Sequence, residues 1–141
     1  MRKGYFDCLK LLLQIFVLKS IYHKIDFTTS NIVLTFKTGS TTVGTGNATL
    51  LDIGNGIGIL TYRGDTGFND AGNGDRPLLV EYDAGFGSII GGSVTSGYRG
   101  NVSAYQTFCY IYKDYIDNYV HKSVGDTQMR YINFIIIGKF A

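Results

Sequence analysis

The sequence of 141 residues has no tryptophan, a single proline and only two cysteines, and only 17% of its residues are charged. Two cysteines as far apart as Cys8 and Cys109 do not make a disulfide framework. There is no CxxC pair and no Cys/His cluster, so nothing indicates a zinc site. Sparse charge combined with many aromatic side chains argues against a disordered chain, and the high glycine content argues against a helical bundle.

Motifs for catalysis are equally scarce. The glycine-rich segment at residues 54–58 lacks the GxGxxG spacing, and no helical pattern follows it to present an N-terminus to a phosphate. His23 and His121 have no serine or cysteine neighbour that would indicate a catalytic triad. Glu81 and Asp83, two positions apart on a predicted strand, are ordinary surface charge. The sequence therefore predicts that the protein is not an enzyme.

The formal net charge of +2 is unevenly distributed. Residues 1–38 carry six basic against two acidic side chains, residues 39–100 three against six, and residues 101–141 four against three. So mild a basic excess at the amino-terminal end does not predict binding to nucleic acid.

Glycine is the abundant residue, and sixteen of the nineteen lie between positions 39 and 100, separated by short apolar runs. Because glycine breaks helices and permits positive φ, this pattern predicts short strands joined by tight turns. Gly54-Asn55-Gly56 predicts a hairpin between strands at Thr49–Ile53 and Ile57–Tyr62. Asn31–Thr38 alternates between apolar and polar residues, as a half-buried strand does.

The longest polar stretch, Asp65–Arg76, is predicted to be a loop, with Pro77 starting the next strand. Its oxygen-bearing side chains raise the possibility of a calcium site, since Ca²⁺ takes six to eight oxygen ligands. Their spacing matches neither the EF-hand nor the nonapeptide calcium repeat, so a solvated loop without a cofactor is the favoured interpretation. The alternative calcium ligands are Asp65, Asn69, Asp70, Asn73 and Asp75.

The run Met129–Phe140 is the clearest strand of the sequence because it is rich in β-branched and aromatic residues. Both of its faces are apolar, so it is expected to lie centrally in a sandwich or to use one face in a subunit contact. Val102–Tyr112 has a similar composition and is predicted to be its pairing partner.

Residues 5–25 have apolar side chains at helical spacings of three and four, which predicts an amphipathic helix. It either packs on its own domain or associates with other copies of itself. A secretion signal is disfavoured by Asp7, Lys10 and the lack of a cleavage site. Lys10 and Lys19 bracket only eight uncharged residues, so membrane contact is limited to an interfacial helix. The expected contacts between copies are Leu11, Ile15, Leu18, Tyr22 and Ile25.

Tyrosines crowd the last third of the chain. Tyrosine is favoured in binding sites because it has an apolar ring and a polar tip, although alternation along strands also places many such side chains in a core. The candidate ligand-binding residues are Tyr98, Arg99, Tyr105, Tyr112, Tyr115 and Tyr119.

Together these patterns predict an amino-terminal helix at residues 1–27 followed by a mainly antiparallel β domain at residues 28–141, of sandwich or jelly-roll type. The predicted function is that of a non-enzymatic structural or attachment protein of a virion, phage tail or cell surface, assembled as a trimer or higher oligomer. One alternative is a monomeric β module that binds a glycan or a surface receptor. Another is a peripheral membrane protein held by the helix.

Overall fold

A computed structural model describes residues 9–14, 27–99, 107–122 and 127–141. Residues 9–14 are helical. The remainder is built from eight strands: β1 Thr28–Thr38, β2 Thr41–Gly54, β3 Ile57–Asp70, β4 Gly74–Glu81, β5 Phe86–Tyr98, β6 Thr107–Ile111, β7 Tyr115–Lys122 and β8 Gln128–Phe140.

The eight strands form a single antiparallel sheet in the order β5-β8-β3-β2-β1-β4-β7-β6. The two terminal strands of this order approach each other, since Thr107 Oγ1 on β6 donates to the Ser96 carbonyl on β5 over 3.2 Å. Ser96 Oγ also donates to Asn118 Oδ1 of β7 over 2.9 Å. The sheet is therefore nearly closed and has an inner and an outer face. The prediction of a mainly antiparallel β domain is confirmed.

The predicted hairpin between β2 and β3 is also confirmed. Asn55 and Gly56 form its turn with φ angles of 55° and 73°. Both values lie in the left-handed region, which asparagine and glycine tolerate better than other residues. The two strands pair directly on either side of this turn.

The prediction of one long loop at Asp65–Arg76 is wrong. Strand β3 continues to Asp70 and β4 begins at Gly74, so only residues 71–73 connect them. After a bulge, the end of β3 pairs again with β8, and this ladder satisfies backbone groups that would bond to water in an exposed loop. Pro77 lies within β4, which pairs with β1 only from Leu79 to Glu81, so its missing N–H costs no bond on that side.

The predicted pairing of the sixth and eighth strands is wrong as well. Strand β6 pairs with β7, and β8 lies between β3 and β5. The reason is strand length: β6 has five residues, whereas β8 has 13 and its neighbours β3 and β5 have 14 and 13. A short strand would leave most backbone groups of β8 without partners.

The inner face of the sheet holds the hydrophobic core. Its members come from nearly every strand because alternate residues of each strand point inward. The fully buried apolar side chains are Leu34, Phe36, Leu60, Leu78, Val80, Ile116, Val120, Ile132 and Ile136.

Strand β8 has one buried face and one that is open. Ile132, Phe134 and Ile136 point into the core, whereas Ile135 on the outer face is 45% exposed. Of the two apolar faces of β8, the core therefore buries one. The outer side leaves apolar surface available for another contact.

A buried polar network closes one end of the core. The Asp70 carboxylate is fully buried and accepts from Arg76 Nε over 2.7 Å and from the Tyr98 hydroxyl over 2.5 Å. Fully buried Arg130 donates to the Arg76 carbonyl over 2.8 Å and to Asn118 Oδ1 over 2.5 Å. Burial lowers the pKa of Arg130 to about 10, so its guanidinium stays charged at neutral pH. At this end of the core, two guanidinium groups and one carboxylate therefore connect strands that are distant in sequence.

Candidate functional site

A groove of about 430 Å³ lies on the outer face of the sheet over β4, β6 and β7. Strand pairing builds it, because Phe108 of β6 lies opposite Tyr119 of β7 and Tyr110 lies opposite Asp117. We call it the aromatic groove, and its lining residues are Asp75, Phe108, Tyr110, Tyr112, Asp117, Tyr119 and His121.

The aromatic rings of this groove are unusually open to solvent. Their exposed fractions are 57% for Phe108, 60% for Tyr110, 43% for Tyr112 and 37% for Tyr119. Intervening residues of β6, such as Cys109, turn toward the core, where burial raises the pKa of its free thiol. A contiguous exposed aromatic patch with polar residues at its edge is typical of an interaction site.

Polar groups stand between the rings. His121 Nδ1 lies 2.8 Å from Asp75 Oδ1, and the Tyr119 hydroxyl donates to Asp117 Oδ2 over 3.4 Å. The nearby Asp117 carboxylate raises the pKa of Tyr119, which keeps the hydroxyl protonated and able to donate. The groove thus offers flat apolar faces together with carboxylate oxygens that accept hydrogen bonds.

The structure separates the tyrosines that the sequence grouped together. Tyr112 and Tyr119 line the groove, and Tyr115 stacks on Tyr112 with ring centroids 4.3 Å apart. Tyr98 is instead buried against Asp70, where burial raises its pKa. Tyr105 lies outside the described residues.

Arg99 also lies apart from the aromatic groove, where its Nε donates to Asp65 Oδ1 over 2.5 Å. The groove residues absent from the predicted ligand-binding set are Phe108, Tyr110, Asp75, Asp117 and His121. Alternation along β6 places Phe108 and Tyr110 on the same face as Tyr112, so part of the signal is present in the sequence.

Each of the three carboxylates considered as calcium ligands contacts a different basic side chain. Asp70 pairs with Arg76, Asp65 with Arg99, and Asp75 with His121. The two other candidates, Asn69 and Asn73, are exposed. Within residues 9–14, 27–99, 107–122 and 127–141, no three acidic, histidine or cysteine side chains come together as metal ligands.

Of the residues predicted to contact another copy, only Leu11 lies in the described helical segment; Ile15, Leu18, Tyr22 and Ile25 lie outside it. All four leucines of this segment are more than half exposed: Leu9, Leu11, Leu12 and Leu13. No helix of the described chain is both long enough and apolar enough to cross a bilayer.

Comparison of the chain with protein-family models, with curated proteins and with solved structures finds no match. The functional argument therefore depends on the residues and geometry of the chain itself.

Proposed function

We propose that this chain is a non-enzymatic attachment protein and that its aromatic groove binds a glycan. The observation that carries the proposal is the contiguous set of exposed rings on β6 and β7. In this proposal the nearly closed sheet is a rigid scaffold of sandwich or jelly-roll type, displayed on a virion or another extracellular surface.

The chemistry of the groove favours a sugar over an apolar ligand. Aromatic faces stack on the C–H surface of a sugar ring, and carboxylates such as Asp75 and Asp117 accept hydrogen bonds from its hydroxyl groups. The volume of about 430 Å³ is within the range of small-molecule sites. Because two carboxylates line the groove, we expect its ligand to be a neutral saccharide.

The first prediction concerns the exposed rings. Replacing Tyr110 or Tyr119 by alanine removes a stacking surface and is expected to weaken binding of a neutral oligosaccharide about ten-fold for each ring. The measurement is a screen of the intact chain against immobilised neutral glycans, followed by calorimetric titration of a ligand found there.

Phe27→Ala is the matched control, because Phe27 is also an exposed ring but lies just before β1, outside the groove. We expect this variant to bind like the unmodified chain. If no neutral glycan binds, or if Tyr110→Ala and Tyr119→Ala bind as well as Phe27→Ala, the groove is not a glycan site.

A second candidate function, self-association, is favoured by the helical segment at residues 9–14. Four of its six side chains are leucines, and each is more than half exposed. Because each leucine is little more than half exposed, its burial against another copy would contribute about 1 kcal/mol to the free energy of association. We propose that this segment associates with its copies to give a trimer or higher oligomer, which would also present several grooves at once.

The second prediction tests that assembly. The intact chain is expected to have the mass of at least three chains by light scattering at micromolar concentration. Replacing Leu9, Leu11, Leu12 and Leu13 by serine is expected to reduce this mass to that of one chain, because serine removes the apolar contact surface.

Val33→Ser is the control, since Val33 is an equally exposed apolar side chain on the outer face of the sheet. This variant should retain the mass of the oligomer. A monomeric intact chain contradicts the assembly, and if that monomer also sediments with liposomes, the leucines serve as a membrane contact instead.

A further inference from the structure

A second groove, of about 380 Å³, lies on the outer face of β3 and β8 and has a different chemistry. Arg63 of β3 lies directly opposite Asn133 of β8, and Asp65 lies opposite Tyr131. We call it the arginine groove, and its lining residues are Arg63, Gly64, Arg99, Tyr131 and Asn133.

Arg99 is held at the edge of this groove by two contacts. Its backbone N–H donates to the Met129 carbonyl over 2.9 Å, and its Nε donates to Asp65 Oδ1 over 2.5 Å. A guanidinium carries five N–H donors, so the contact with Asp65 leaves the terminal nitrogens of Arg99 available. The ion pair thus orients Arg99 without using its full donor capacity.

Arg63 supplies a charge that is not balanced locally. Its side chain is exposed, and it forms no ion pair with a residue of the described strands and loops. Asp65 is paired with Arg99 at the edge of the groove. The groove therefore has a net positive charge, in contrast to the aromatic groove with its two carboxylates.

We propose that the arginine groove binds an oxyanion, a carboxylate or sulfate group, and that Arg63 and Arg99 contact it with their terminal nitrogens. Guanidinium groups match the geometry of such anions and form hydrogen bonds stronger than those between neutral groups. The Tyr131 ring and the Asn133 amide line the remaining volume, which suits the sugar ring of an acidic saccharide. This goes beyond the proposed function, which concerns a neutral saccharide at a separate groove.

The test is a titration of the intact chain, monitored through the amide and arginine side-chain signals in NMR spectra. Three probes are used: a monosulfated disaccharide, the same disaccharide without sulfate, and sodium sulfate. We expect the sulfated disaccharide to shift the signals of Arg63 and Arg99. Arg63→Gln is expected to weaken its binding about ten-fold, since glutamine keeps the length of the side chain but loses the charge.

Lys139→Gln is the matched control, because Lys139 is another exposed cation on the outer face of β8. Equal weakening by Lys139→Gln and Arg63→Gln would indicate only general charge attraction and would overturn the proposal. Failure of both sulfate-bearing probes to bind, or equal binding of the unsulfated disaccharide, would also overturn it.

Two results of the titration support the site and distinguish the source of its anion. Binding of the sulfated disaccharide much more tightly than sodium sulfate identifies a saccharide, and equal binding of the two identifies the free anion. Tyr110→Ala and Tyr119→Ala should leave either result unchanged, so failure at one groove is distinguishable from failure at the other.

Discussion

Replacing Asp70 by asparagine is expected to lower the free energy of unfolding by about 3–5 kcal/mol, because it removes the counter-charge of one buried and one partly buried guanidinium group. Asp70 is fully buried and bonded to Arg76, and Arg130 lies fully buried in the same network. Asparagine preserves the side-chain size and can still accept from Tyr98. Its single amide oxygen cannot accept from Arg76 as well, so the loss reports on the charge together with one hydrogen bond. The partial exposure of Arg76 places the loss toward the lower end of the range.

The measurement is equilibrium unfolding in urea. The change in the free energy of unfolding is calculated from the shift in the urea midpoint, provided that the dependence on urea concentration is the same in both proteins. Asp75→Asn is the control, because Asp75 also pairs with a basic side chain, that of His121, but at the surface. Exposed charged pairs contribute up to about 1 kcal/mol, so Asp75→Asn should lower the free energy of unfolding by no more than that. Equal stability losses in the two variants would show that the buried network does not depend on the charge of Asp70.

Gly44→Ala is expected to destabilise the chain by about 3 kcal/mol, the upper part of the range for overpacking a core. A Cβ atom added at Gly44 would lie 2.0 Å from the carbonyl oxygen of Thr66. That oxygen belongs to the bulge between Asp65 and Asn69, so it is backbone and cannot rotate away as a side chain would. The bulge or strand β2 would have to move.

Gly91→Ala is the matched control for the same substitution. A Cβ added at Gly91 of β5 meets no described atom within 4 Å. Alanine also restricts the unfolded chain more than glycine does, so a change near zero or a gain of up to about 1 kcal/mol is expected. Thermal and urea unfolding measure both variants. If Gly44→Ala is as stable as Gly91→Ala, the close approach of the bulge is not a constraint on the fold.

The parts of the fold that were predicted correctly depend on near neighbours. The turn at Asn55-Gly56 needs only residues that tolerate positive φ, and these stand next to one another. The outward row of Phe108, Tyr110 and Tyr112 follows from alternation along one strand. Such features are encoded within a few residues and are readable without knowing what lies across the sheet.

The predictions that were wrong concern partners far apart in the chain. The choice of β3 and β5 as neighbours of β8 depends on matching strand lengths and on which faces meet, and neither is visible in a local window. The same holds for the end of β3, where polar residues form strand rather than loop because β8 supplies a ladder.

The sequence by itself determined that the chain is mainly β, that a tight turn lies at Asn55-Gly56 and which side chains of a strand share a face. Only the tertiary structure decided that Tyr119 lines an exposed groove while Tyr98 is buried beside Asp70, and that Asp65, Asp70 and Asp75 each pair with a different basic side chain. The physical reason is the distance along the chain over which each interaction acts. Backbone conformation and alternation are set by adjacent residues, whereas burial and electrostatic pairing are set by whichever strands the closing sheet brings together.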